Sequence, residues 1–129
     1  MATLRQIYFI LLFILILFKN VHAEPISGNL VFLHVLDKVT SRVEVIEIQV
    51  GKIVEFASLR IEILLCKRRP PEEVPEDFVL LKIDDRISQE NFETVFQGWM
   101  ISSSPTVTPF EHPTYDVWVK DCKIDIESE

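Results

Sequence analysis

The sequence predicts an all-β fold, a small antiparallel sandwich or partly open barrel of about six strands closed by one disulfide. Apolar and polar residues alternate at a period near two from Leu30 onwards, and those runs are rich in β-branched and aromatic side chains. No stretch beyond Ala23 carries a convincing helical period. The prolines avoid the runs, with Pro70, Pro71 and Pro75 in one connection and Pro105, Pro109 and Pro113 in another. A Pro within a strand would delete a ladder donor, so this placement suits an antiparallel sheet.

The chain begins differently. Arg5 precedes an unbroken apolar run from Ile7 to Phe18, followed by Lys19, Asn20 and the small-residue site Val21-His22-Ala23 before Glu24-Pro25. This is the layout of a secretory signal peptide cleaved after Ala23, which makes residues 1–23 a leader and 24–129 a single all-β domain. The run from Ile7 to Phe18 would rise ~18 Å as a helix, short of the roughly 30 Å hydrocarbon core, so no stable membrane span is expected after cleavage. The expected address is the periplasm.

Of the 20 acidic and 13 basic residues only Arg5 and Lys19 fall in the leader, so residues 24–129 hold 11 bases against 20 acids, a net charge of −9. That excess of carboxylates argues against nucleic acid as a partner, because phosphate binding needs Lys and Arg to replace counterions. In an oxidising compartment Cys66 and Cys122, the two cysteines of the chain, are expected to form a bridge; buried free thiols are the alternative.

In chain order, Glu24 to Asn29 is a polar lead-in with Pro25 and Gly28, and Leu30 to Leu36 forms the first strand. Val43 and Val45 are out of phase by one position with Ile46, Ile48 and Val50, a slip that a bulge near Val45-Ile46 would absorb. Gly51-Lys52 suits a type II′ hairpin, with a return strand from Ile53. Leu59, Ile61, Ile63 and Leu65 share one strand face, opposite Arg60, Glu62 and Cys66; a bridge at Cys66 therefore requires that second face to become covered. Phe78 to Ile83, Phe92 to Ile101 and Thr114 to Ile124 supply the remaining strands. Phe96, Gly98 and Met100 share a face, with room at Gly98 for a neighbouring ring. In the last strand Tyr115, Val117 and Val119 oppose Trp118 and Cys122, which would pack Trp118 on the bridge.

Four stretches act together as a signature: Leu36 to Arg42, Cys66 to Glu73, Phe96 to Met100 with Ser103-Ser104-Pro105, and Glu111 to Cys122. In this order they resemble a family of exported proteins of Gram-negative bacteria, the domain of unknown function numbered twenty-one fifty-five. The resemblance spans Val35 to Cys122. It implies a single exported domain with two cysteines at these positions and carries no catalytic assignment.

Ser102, Ser103 and Ser104 with His112 and Asp116 or Asp121 offer the residue types of a nucleophilic triad, but without a Gly-x-Ser-x-Gly elbow or a glycine-rich oxyanion hole. No catalytic residue is assigned. His34 and His112 lack a second ligand at metal-binding spacing, so neither metal nor cofactor is expected. The run Lys67-Arg68-Arg69-Pro70-Pro71-Glu72-Glu73 projects across a diproline and can dock a partner through its Arg forks. Trp99, Tyr115 and Trp118 are aromatic anchors of the kind binding surfaces use. The candidate partner-binding residues are Lys67, Arg68, Arg69, Trp99, His112, Tyr115 and Trp118. Together these features point to a non-enzymatic binding or accessory protein contacting a larger envelope or membrane complex. The alternatives are an envelope hydrolase using His112 with Ser103 or an acid, and a carbohydrate-binding module using Trp99.

Overall fold

Alternation along β2 (Leu30–Asp37) and β5 (Leu59–Arg68) turns Val31, Leu33 and Val35 from one strand and Leu59, Ile61 and Ile63 from the other into a common interior, where all six are fully buried. Around them the computed structural model, which describes residues 1–18 and 23–126, builds two antiparallel sheets packed as a sandwich, not a closed barrel. The smaller sheet runs β3 (Arg42–Gln49), β2, β8 (Tyr115–Lys123). The larger runs β1 (Ile26–Ser27), β5, β6 (Asp77–Arg86), β7 (Phe92–Ile101), with β4 (Ile53–Phe56) sharing the β1 edge of β5. The short β1 adds to the expected strands, while β4 begins at Ile53 as expected but pairs β5 rather than β3.

Several face assignments differ from those of strict alternation, and bulges are the cause. The β5–β6 register shifts between Ile63 and Leu65, so Leu65 turns outward and Cys66, opposite Val79, enters the core on the face of Ile61 and Ile63. The same happens in β8, where the β2 ladder passes from Val119 to Asp121. Cys122 thereby joins Val117 and Val119 inside, while Trp118 faces out and stacks on His34 at 5.2 Å rather than packing on the bridge. The disulfide then joins β5 of one sheet to β8 of the other, Cα to Cα 6.1 Å. No bulge occurs in β3, whose pairing with β2 is continuous over Arg42–Gln49. Its two apolar sets are separated by face: Ile46 and Ile48 point in, Val43 and Val45 out.

Gly51 takes φ +83°, as a turn glycine should, but its turn is no hairpin. Lys52 N–H donates to Gln49 O at 3.0 Å, and the chain crosses there from the smaller sheet to the larger, since β3 pairs β2 and β4 pairs β5. The tight hairpin is the next one, at Ala57-Ser58, where Ala57 itself adopts φ +50°. Gly98 faces the core with Phe96 and Met100, and Phe96's own ring, 3.8 Å from where a Cβ would stand, is what lies beside it.

Both ends of the sandwich are clamped by inward aspartates of β6. At one end Asp77 is 7% exposed and accepts a hydrogen bond from Cys122 N–H at 3.3 Å across the sheets, with Arg68 Nε at 3.4 Å. At the other, Asp85 Oδ2 lies 2.9 Å from His112 Nε2, which belongs to the long connection into β8. Residues Leu4–Leu17 form the helix α1, none of whose side chains is buried. Among the described residues no helix is long and apolar enough to cross a membrane. The expected processing site runs through Val21 and His22, which, with Lys19 and Asn20, lie outside the described residues.

Candidate functional site

The seven residues singled out from the sequence do not form one surface. His112 is 8% exposed and lies inside the fold rather than on an outer face. Its Nδ1 accepts N–H groups of Thr114 and Tyr115, each at 3.1 Å, which places the ring proton on Nε2, donated to Asp85. The ring is sandwiched between Phe110 at 5.7 Å and Tyr115 at 5.5 Å, and Lys38 Nζ donates to His112 O at 2.8 Å. Tyr115 is spent on this stack and on an edge contact to Phe56. Ser102 and Ser103 are bound elsewhere, both hydroxyls donating to the Glu76 carboxylate. Ser102 and Ser103 are thus held at Glu76, and the partner that His112 finds is the acid Asp85 rather than Ser103. His112→Phe keeps the stack but strands two backbone donors; a loss of about 2 kcal/mol in urea unfolding is expected.

Carboxyl environments set the pH dependence. Burial pushes Glu76, Asp84 and Asp85 up, but hydrogen bonds outweigh it and hold all three below their ordinary values. The donors are Ser103 and Ser102 for Glu76, Thr94 and Arg60 for Asp84, and Ser58 and His112 for Asp85. Asp77 goes the other way, raised by burial against the pull of Arg68. The three lowered groups contribute stability above the ordinary carboxylate range that is lost as pH falls through their folded values. Asp77 costs stability once it is ionised in the fold, and that cost is relieved in the same direction of pH. Three against one, the urea midpoint is expected to fall steeply below about pH 4. A flat midpoint across that range contradicts this account.

Two outer faces remain as surfaces. On the smaller sheet Val45, His34 and Trp118 form one row and Val43, Leu36 and Asp116 the next. Val43 and Val45 are about half exposed, at 52% and 47%. Beyond them β3 is a sheet edge with no bulge and no proline, its apolar pair flanked by the charges of Arg42, Glu44 and Glu47.

On the larger sheet the Leu64 bulge produces an apolar outer belt. Leu65, Leu80 and Trp99 lie in one row, Lys67, Phe78 and Ile101 in the next. Trp99 is 40% exposed, and with Pro25, Phe78 and Lys67 it lines a cleft of about 280 Å³. The three cations of the predicted loop part company here. Lys67 Nζ donates to Ser27 Oγ at 2.5 Å, Arg69 lies over Phe78 at 5.7 Å, and Arg68 turns away to Asp77 and Asp121. Among the described residues neither Lys67 nor Arg69 comes within ion-pair distance of a carboxylate. Leu65, Leu80 and the Val43–Val45 stripe escaped the sequence reading because their exposure depends on bulges and on which sheet edge each strand occupies.

These two faces belong to a domain seen elsewhere. The chain matches, over residues 31–122, the family described as uncharacterized protein conserved in bacteria, DUF2155. It is a member of that family. The uncharacterized protein RP359 of Rickettsia prowazekii (strain Madrid E) is 32% identical over 87 residues, which cover 67% of this chain and 56% of that relative. The chain thus spans little more than half the length of the relative it matches. No solved structure matches. The family region opens at Val31 and closes at Cys122, partners in the β2–β8 ladder, so it takes in the bridge and both sheets.

Proposed function

We propose that this DUF2155 protein is an exported, non-enzymatic binding protein of the bacterial envelope, freed of its leader after Ala23 and acting as an accessory to a larger envelope complex. The reading rests chiefly on one observation: the edge strand β3 presents Val43 and Val45, half exposed, on an outer face that continues through Leu36, His34 and Trp118. Soluble domains bury or interrupt such surfaces unless a partner covers them, and an open edge lends its backbone donors and acceptors to an added strand. Two further features favour export. The apolar run of α1 is of the length of a signal core and packs on nothing, and a cystine linking two sheets is stable where thiols are oxidised.

A photo-crosslinking residue placed at Val45 is expected to capture another envelope protein in living cells, whereas one at Glu93, exposed on the larger sheet, captures none. Equal capture at both sites, or none at Val45, overturns the contact face. The mature protein is expected to begin at Glu24 by intact mass; retention of Met1 overturns the address.

A further inference from the structure

The connection between β5 and β6 and the shallow apolar cleft on the outer face of the larger sheet each expose apolar side chains and carry opposite charges beside them. From Pro71 to Pro75 every residue of the connection is exposed, and Val74, an apolar side chain between a glutamate and a proline, is 75% exposed. Glu73 N–H donates to Pro70 O at 3.0 Å, closing one turn beneath this projecting tip. The cleft offers Pro25, Phe78 and Trp99 as walls, with Lys67 among its lining residues and Arg69 over the Phe78 ring. Among the described residues neither of those two cations has a carboxylate within ion-pair distance, although Arg69 is near enough to Glu76 to help lower its pKa, in a chain whose residues 24–129 carry a net charge of −9.

We propose that the cleft is filled by the Pro71–Pro75 tip of a second copy of this chain. Val74 enters between Pro25 and Trp99 over Phe78, and Glu72 and Glu73 meet Lys67 and Arg69. Proline fixes the backbone of the tip in advance, so little conformational freedom is lost on docking. An aromatic-walled groove is the kind of site that receives extended proline-bearing segments. The overall negative charge opposes association of two copies, and the local pairing of opposite charges at the cleft is what selects this orientation. Cleft and tip adjoin through Arg69, so a two-fold axis beside that residue lets each tip serve the other's cleft and closes the assembly at a dimer. This surface is separate from the β3 edge, and the dimer leaves that edge free.

The test uses the oxidised full chain in sedimentation equilibrium, with two charge-reversed variants, K67E/R69E and E72K/E73K. Wild type is expected to dimerise in the micromolar range. Each variant alone now sets like charges against each other, and its dimer is expected to weaken at least about tenfold. An equimolar mixture pairs acidic cleft with basic tip and basic cleft with acidic tip, and is expected to restore the dimer as a heterodimer. Association through the apolar α1 would not respond to these changes. A monomeric wild type, variants that dimerise like wild type, or a mixture no tighter than its components overturns the proposal. A monomer that still gives the Val45 adduct in cells overturns the second copy alone and leaves the binding role standing; loss of the adduct with a dimer intact does the reverse.

Discussion

Removing both sulfurs as C66A/C122A is expected to lower unfolding free energy by about 4 kcal/mol, the chain entropy released when a closed loop of this length opens. Against a net stability of order 5 to 15 kcal/mol for a small domain, that is the largest loss available to any covalent change here. The position of the bridge explains why packing cannot compensate. It joins the sheets at the end where β1 contributes two residues and the proline-rich connection leaves the core, and both cysteines are fully buried. Besides the apolar contacts of Val31, Val79 and Met100, the ties between the sheets at that end are polar: Cys122 N–H to Asp77, and Arg68 to Asp77 and Asp121. Asp77 is already displaced upward in pKa by burial, so it holds its charge at a cost. Urea unfolding of the double variant against wild type, both at neutral pH, measures the difference. A loss under about 1 kcal/mol means the sheets are held by packing and the covalent link is incidental.

The other end depends on no covalent link, and its strength lies in a histidine that sequence reasoning placed at the surface. His112 stands in a proline-flanked loop, where an exposed contact residue is the ordinary expectation. Its burial follows from Asp85, which strict alternation from Phe78 to Ile83 never reached, and from two rings, Phe110 and Tyr115, brought together by the return of the chain into β8. Nothing local announces such a convergence.

What could be read from the residues was the class of fold, the strands that became β2 and β6, and the shared inner face of Phe96, Gly98 and Met100 in β7. What could not be read was wherever a strand carries one extra residue. The bulges at Leu64 and Lys120 each reverse the sides that follow, and between them they bring Cys66 and Cys122 into the interior and put Leu65 outside. Each bulge is invisible to composition because it is defined against a partner strand. At Val43-Val45 the error was the converse. An apolar pair out of phase implies a bulge only where both sets are buried. On an edge strand one set is free to stay exposed, and there the apparent irregularity is the candidate surface itself. Gly51 and Ala57 repeat the lesson for turns: the glycine sits at a crossing between sheets, and the hairpin takes an alanine at positive φ.

Gly28→Ala is expected to cost about 3 kcal/mol, at the upper end for a small-to-large change in a packed site. The sequence places this residue in the polar lead-in to β2. It lies instead against the bridge, its N–H donating to Cys66 O at 3.0 Å. A Cβ there would stand 2.5 Å from Cys122 Sγ, 2.9 Å from Cys66 Sγ and 2.9 Å from Lys123 O. None of these atoms can retreat as the tip of a flexible side chain would. The sulfurs are bonded across two sheets, and the carbonyl is fixed by Asn29 N–H at 3.0 Å. The cost should therefore be coupled to the sulfurs. In the C66A/C122A background two of the three close contacts vanish, and the same methyl is expected to cost less than half as much, about 1 kcal/mol. A double-mutant cycle by urea unfolding reads the coupling directly. Equal costs in both backgrounds would show that the methyl is resisted by the backbone alone, and that Gly28 is required by the chain path rather than by the disulfide it covers.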